Sequence, residues 1–208
     1  MKTSIYAVAI PICLIFLFSG CAKSLNNKIP VDTTSSTPGG TVTMSGQTVQ
    51  LSGTPLRVGE PMPATVLIDA FTMKIVDISR LKGKVLLLSL VPSLDTKVCE
   101  AQTHNLGEQK ARLSEDITRI TISRDTPFAQ KRFAEEAKLT GITYLSDYRD
   151  GSFGLSTGLL QKESMLLARA VLLVDKEGIV RYIQVVPELS HLPDMETAFN
   201  KAGVLAGK

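Results

Sequence analysis

Hydrophobic positions follow three regimes along the chain. The first is one apolar run over residues 5–18, preceded by Lys2 and closed by Ser19 and Gly20 before Cys21. The second, from residue 22 to about residue 43, holds Lys, Asn, Ser, Thr, Pro and Gly with almost no apolar periodicity. Such a composition cannot bury a core and predicts a flexible tether. From Val42 onward the chain changes to short alternating or apolar runs broken by turn pairs, the pattern of folded strands and helices. It therefore divides into a targeting segment at 1–20, a linker at 21–44 and one folded domain at 45–208.

Within the domain, alternation over 48–51, a turn at 52–55 and apolar residues at 56–58 predict an N-terminal β-hairpin. Short strands are expected at 65–68 and 75–78. The continuous apolar run at 84–91 suits a central strand buried on both faces. A helix over 99–114, a buried strand over 117–122, a helix over 127–138 opening with Pro127 and a short strand at 144–145 follow. A last hairpin joins 168–174 to 179–186 through the turn Asp175-Lys176-Glu177-Gly178, and a helix is expected from about 194 to 202. The class is α/β, a central mixed sheet flanked by helices. Its element order is that of a thioredoxin-like domain, although order alone fits other α/β arrangements.

Composition narrows the partners. The net charge of +3 comes from 23 basic and 20 acidic residues scattered along the chain, without the basic block that tracks a phosphate backbone, so nucleic acid is not an expected partner. The run at 5–18 contains Pro11 and falls short of the about 20 residues that span a bilayer. With Lys2 before it and small residues after it, its layout is that of a secretory signal. The three cysteines stand at 13, 21 and 99. No metal-ligand spacing is present. His104, five positions after Cys99, would stand about 140° around a helix from it and is read as solvated, and His191, in the proline-bounded stretch 187–193, as a surface residue.

The stretch that carries chemistry is 91–100, where the central strand ends and a helix begins. Open α/β sheets gather ligands at that edge. Asp95 or Thr96 can cap the helix and place Cys99 in or near its first turn, where unpaired N–H groups and the dipole favour an anion. The thiolate is the nucleophilic form of cysteine. The other reading is an inert packed thiol, with Thr96 a plain helix cap and Arg169 an arginine solvated at the end of its strand. Gln102 stands where a C-x-x-C motif needs its second cysteine, and Thr103 where a C-x-x-x-C motif needs its own. Both of those redox classes are excluded.

Two resemblances add to this. Leu17-Phe18-Ser19-Gly20-Cys21, with Phe18 where leucine is usual, resembles the lipobox of bacterial lipoproteins. It implies lipidation of Cys21, removal of Cys13 and a membrane-anchored protein of the cell envelope; a plain soluble periplasmic protein is the alternative. Pro92, Thr96 and Cys99 match the peroxiredoxin signature P-x-x-x-T-x-x-C, and the run from Pro92 to Cys99 resembles the bacterial thiol peroxidases more narrowly. Residues 125–133, 145–150 and 166–171 are similar to the same family in the same order.

The second resemblance implies a peroxiredoxin of thioredoxin-like fold without cofactor or metal. Cys99 would be the peroxidatic nucleophile, with the Thr96 hydroxyl on thiolate and peroxide, Arg169 stabilising thiolate and oxygens, and Pro92 shielding the pocket. Substrates would be alkyl or lipid hydroperoxides and hydrogen peroxide, and a homodimer is the expected assembly. The family's second cysteine follows Arg-Phe, whereas Ala134 follows Arg132-Phe133 here. The expectation is therefore a one-cysteine mechanism served by an external thiol or a thioredoxin-like reductant. The alternative is a catalytically impaired envelope lipoprotein that acts as a binding module.

Overall fold

The computed structural model describes residues 28–108 and 113–207; the expected signal segment, Cys13 and the expected lipidation site Cys21 lie outside the described residues. In chain order the elements are β1 (Val31–Asp32), β2 (Thr41–Met44), β3 (Gln47–Ser52), β4 (Leu67–Asp69), β5 (Ile75–Val76), a 3-10 turn (Ile78–Arg80), β6 (Val85–Leu90) and α1 (Lys97–Glu108). There follow β7 (Ile117–Ser123), α2 (Pro127–Ala137), β8 (Ile142–Ser146), α3 (Ser152–Thr157), β9 (Leu160–Gln161), β10 (Ala170–Val174), β11 (Val180–Val185), β12 (Leu192–Pro193) and α4 (Met195–Ala206). A mixed central sheet runs β11-β10-β6-β7-β8-β4-β5, with β6, β7 and β8 parallel and the other neighbours antiparallel.

Strand alternation divides the core in two. Leu86, Leu88 and Leu90 of β6 pack with Ile120, Ile122, Leu172 and Phe153 on the face that carries α3 and the β2–β3 hairpin. Val85 and Leu87 point the other way, onto Leu106 of α1 and Ala198 and Phe199 of α4. The whole of β6 is buried, as its uninterrupted apolar run predicts. Thr126 caps α2 by accepting from the Ala129 N–H, and Pro127 opens the helix. Asp194 caps α4 by accepting from the Thr197 N–H.

The N-terminal part departs from expectation twice. The hairpin lies one strand earlier than predicted: β2 pairs with β3 across Ser45 and Gly46, whose positive φ angles (51° and 78°) suit a tight two-residue turn. Leu56–Val58 forms no strand, because after Ser52 the backbone bonds to α3 instead; Thr54 N–H donates to Leu155 O at 2.7 Å and Leu56 N–H to Thr157 O at 3.2 Å. Gly53 is needed there, since a Cβ would lie 2.0 Å from Leu155 O.

The described part of the expected linker is also structured, and the expected boundary at residue 45 would cut the hairpin. β1 pairs in parallel with β12, Ser36 N–H donates to Val185 O at 2.8 Å, and Gln184 Nε2 donates to Asp32 O at 2.7 Å. Backbone pairing holds this segment, so its polar side chains gave no sign of it.

Candidate active site

The central strand delivers the chain to the site. After Leu90, Val91 and Pro92 are buried, and the next loop is held from below by Asp125 at the end of β7. Asp125 accepts the Ser93 hydroxyl at 2.8 Å, the Leu94 N–H at 2.8 Å and the Ser123 hydroxyl at 2.7 Å. The loop thereby starts α1 at Lys97 and puts Cys99 third in the helix, among N–H groups that lack intrahelical acceptors.

Cys99 is fully buried and forms no disulfide among the described residues. On one side stands an apolar cluster of Ala70, Val91, Leu94, Ala134 and Tyr144, with Phe133 against it. On the other, Arg169 Nη2 donates to Cys99 Sγ at 3.4 Å. Arg169 shares the face of Val171 and Leu173, which turns it beneath α1 rather than into solvent, and only 2% of it is exposed.

Its remaining donors are fixed: Nη1 donates to Gln102 Oε1 at 2.8 Å and Nε to Leu189 O at 2.9 Å. Gln102 is itself held, because its Nε2 donates to the Ser89 hydroxyl at 2.8 Å and to Leu90 O at 3.3 Å. These acceptors are neutral, and among the described residues no carboxylate forms an ion pair with Arg169. A buried guanidinium without a carboxylate selects an anion at its open edge, and that edge faces the sulfur.

Of the residues expected at the site, Cys99 and Arg169 meet directly and Pro92 is buried at the strand end. Thr96 stands at the helix start but is exposed, and its hydroxyl donates to Ser93 O at 3.1 Å rather than reaching sulfur. Ala134 is in the same apolar cluster as the thiol. Gln102, Ser89 and the Leu189 carbonyl were not anticipated. Gln102 had a legible signal, since residue i+3 shares the helix face of Cys99; the Leu189 carbonyl had none.

Tyr144 places in the protein interior a hydroxyl with no hydrogen-bond partner among the described residues, and burial pushes its ionisation up to about 12, against a smaller opposing effect of Arg119. His104 is partly exposed beside Glu100 and Glu108. His191, expected at the surface, is partly buried, with Nδ1 3.2 Å from Asp32 Oδ1.

A groove of about 310 Å³ opens at the start of α1, lined by Leu94, Thr96, Lys97, Glu100 and Phe133 among others. A larger concavity of about 390 Å³ beside Leu173, Tyr182 and Val204 holds none of these groups. Among the described residues no cluster of His, Cys, Asp and Glu is arranged to hold a metal, and no helix is long and apolar enough to cross a membrane.

Compared with known proteins, residues 57–199 match the Redoxin family. The chain is 41% identical over 162 residues to a thiol peroxidase of Halalkalibacterium halodurans, covering 77% of this chain and 96% of that protein. It is 39% identical over 165 residues to a thiol peroxidase of Bacillus subtilis, covering 79% and 97%. Among solved structures, a peroxiredoxin-like protein from Aquifex aeolicus superposes with a TM-score of 0.74 at 37% identity, covering 79% of this chain and 96% of that one. A thiol peroxidase from Chromobacterium violaceum superposes at 0.68 and 19% identity over 78% and 94%, a likeness of fold.

Proposed function

The chain belongs to the thiol peroxidases of the Redoxin family, and from that premise we propose a one-cysteine mechanism in which Cys99 attacks the peroxide and an external thiol restores it. Its fold is thioredoxin-like, and thiol-dependent reduction of peroxides is its activity. The observation that carries the residue assignment is the buried Cys99–Arg169 pair.

The thiolate attacks the terminal oxygen of the hydroperoxide and the O–O bond breaks. Cys99 becomes a sulfenic acid, and the departing alkoxide takes a proton to leave as an alcohol. Arg169 faces the sulfur with donors already fixed, so it stabilises the thiolate and the charge passing to the oxygens without reorganising. Thr96, at the mouth of the groove, supplies its hydroxyl to the incoming peroxide after turning from Ser93 O. Pro92 and the apolar cluster keep water from the sulfur.

Cys99 is the only cysteine among the described residues, and Ala134 stands at the position from which relatives would resolve it. One external thiol therefore condenses with the sulfenic acid to a mixed disulfide and water, and a second thiol releases Cys99 and a disulfide. The test is stopped-flow mixing of the full reduced chain with cumene hydroperoxide, trapping the product with a sulfenate-selective probe and using Cys99→Ser as control. One sulfenate per chain at Cys99 is expected; reaction no faster than that of a free thiol refutes the assignment.

The lipobox-like residues 17–21 support a cell-envelope protein anchored through Cys21, which would bring the site close to oxidised acyl chains and favour alkyl and lipid hydroperoxides. Mass spectrometry of the membrane-extracted protein decides the first point: an unmodified N-terminus at any residue other than Cys21 overturns it. Equal rates with hydrogen peroxide and alkyl hydroperoxides overturn the second. A homodimer is the proposed assembly, checked by light scattering.

A further inference from the structure

The N-terminal arm precedes the residues that match the Redoxin family, and the peroxide chemistry derived above makes no use of it. It docks on the loop at 187–191, which reaches the site through one residue. Leu189 is 1% exposed, and its carbonyl accepts from Arg169 Nε at 2.9 Å. The loop is a turn, closed by the His191 N–H donating to Glu188 O at 2.9 Å. Its other side rests on β2, where Leu189 N–H donates to Thr43 O at 2.8 Å and Thr43 N–H to Pro187 O at 2.7 Å. The placing of the Leu189 carbonyl therefore follows from how this turn is held.

Asp32 of the arm holds the turn at two points that flank Leu189. Its Oδ2 accepts the Glu188 N–H at 3.3 Å, and its Oδ1 lies 3.2 Å from His191 Nδ1. Both side chains are largely buried, and Nδ1 itself is inaccessible and makes no aligned hydrogen bond among the described residues. The contact is thus close without being a hydrogen bond, so its strength is that of an ion pair and requires a protonated ring. Imidazole is the side chain that ordinarily gains and loses its proton between about pH 5 and 8. With the proton, Asp32 grips both flanks of Leu189; without it, only the Glu188 side remains.

The elements packed around this corner carry few other charges. The arm adds Lys28 to Asp32, the loop brings Glu188, α4 opens on Asp194, whose carboxylate caps the helix, and the β2–β3 hairpin has no charged residue. The helix α1, which packs on β12, carries Lys97, Glu100, Glu108 and His104, the last lying between the two glutamates. Donors from Ser190, Ser45 and Thr43 keep Glu188 ionised throughout the imidazole range, so its charge does not change there.

We propose that Asp32 and His191 are positioning residues for the peroxide step: with His191 protonated, the pair clamps the 188–191 turn to the arm and fixes the carbonyl that orients Arg169 against Cys99. The inference rests on the reading of Arg169 as the group that supports Cys99 during attack on the peroxide. The hold is full on the acid side and is lost as pH rises through the imidazole range. Once the turn is released, the guanidinium is less firmly aimed at the sulfur, and the reacting atoms lose part of their preorganised donors.

The experiment follows sulfenate formation from cumene hydroperoxide by stopped flow, between about pH 5.5 and about pH 8. It compares the reduced full chain with His191→Gln, Asp32→Asn and the double variant. At the acid end each single variant should be slower than the parent by about threefold, and the double variant no slower than either. The ratio of parent to variant should narrow toward one at the alkaline end, where the parent's own ring is neutral; the ratio removes pH effects common to both chains. His191→Lys, cationic throughout this range, should recover the acid-end rate and should not lose the hold as pH rises. Amide protection at Leu192, whose N–H donates to Pro30 O at 2.7 Å, should fall in the single variants at the acid end.

Ratios that do not change with pH overturn the inference and leave the function standing, as do losses in the single variants that add in the double. A normal peroxide step in Arg169→Met removes the reading on which the inference depends. A parent chain that forms no sulfenate overturns the function itself.

Discussion

Arg169 shows how one side chain changes meaning with its surroundings. At the start of an apolar strand it reads as an arginine reaching for solvent, and only strand alternation, which puts it with Val171 and Leu173, turns it beneath α1. Fixed by Gln102 and Leu189, it offers Nη2 to sulfur. Arg169→Met should lower the rate of sulfenate formation by about 10²–10³. Arg169→Lys should restore little of it, because one ammonium does not span Gln102, Leu189 and sulfur together; full activity in the lysine variant refutes this. Tyr144 gives a contrasting case. Its hydroxyl has no partner among the described residues and resists ionisation up to about 12, so Tyr144→Phe removes an unsatisfied group. The melting temperature should hold or rise, and a clear fall would reveal a bond to that oxygen.

Elements carry the site by being tied at their ends. The strand-to-helix link before Cys99 depends on Asp125, which gathers donors from Ser93, Leu94 and Ser123. Asp125→Asn should cost about 1–3 kcal/mol in chemical unfolding and slow the peroxide step, since the start of α1 loses its footing. The loop behind Arg169 is held by Glu188. Burial raises the pKa of this carboxyl, but hydrogen bonds from the Ser190 hydroxyl, the Ser45 N–H, the Thr43 hydroxyl and the Ser190 N–H outweigh it and bring it down to about 2. A depressed folded value means stability fully present above the ordinary value of 4.5 and lost as pH falls toward about 2. The melting temperature of the parent should therefore decline through that window, while Glu188→Gln, already lacking the charge, shows a flatter curve there. Parallel curves would rule Glu188 out as the source.

At the scale of the molecule, what was legible from sequence was what side-chain periodicity reports. The run at 84–91 gave β6, Pro127 gave the start of α2, and the turn at 175–178 gave the last hairpin. Cys99, Pro92 and Thr96 were legible as a motif, but the turning of the Thr96 hydroxyl toward Ser93 O was not. Short elements held mainly by backbone bonds escaped: β1, β9, β12 and the six-residue α3 are too brief for a period to show. The N-terminal arm belongs with them, and its docking bears on how the whole protein works. Glu188 N–H donates to Asp32 Oδ2 at 3.3 Å, and Leu189 N–H donates to Thr43 O at 2.8 Å. The same Leu189 offers its carbonyl to Arg169.

The arm therefore braces the loop that holds the arginine beside Cys99, and it does so close to the proposed anchor. Between Cys21 and Val31 the chain reaches at most about 35 Å, at 3.3–3.6 Å per residue. An anchored protein would keep the groove at α1 near the bilayer rather than sweeping a wide volume. Reconstituted in vesicles containing a phospholipid hydroperoxide, the lipidated full chain should consume it faster than Cys21→Ala does, while both reduce cumene hydroperoxide in solution at the same rate. Equal consumption of the lipid substrate would mean that tethering confers no advantage. A loss in both assays would point instead to the arm's hold on Leu189, and hence on Arg169.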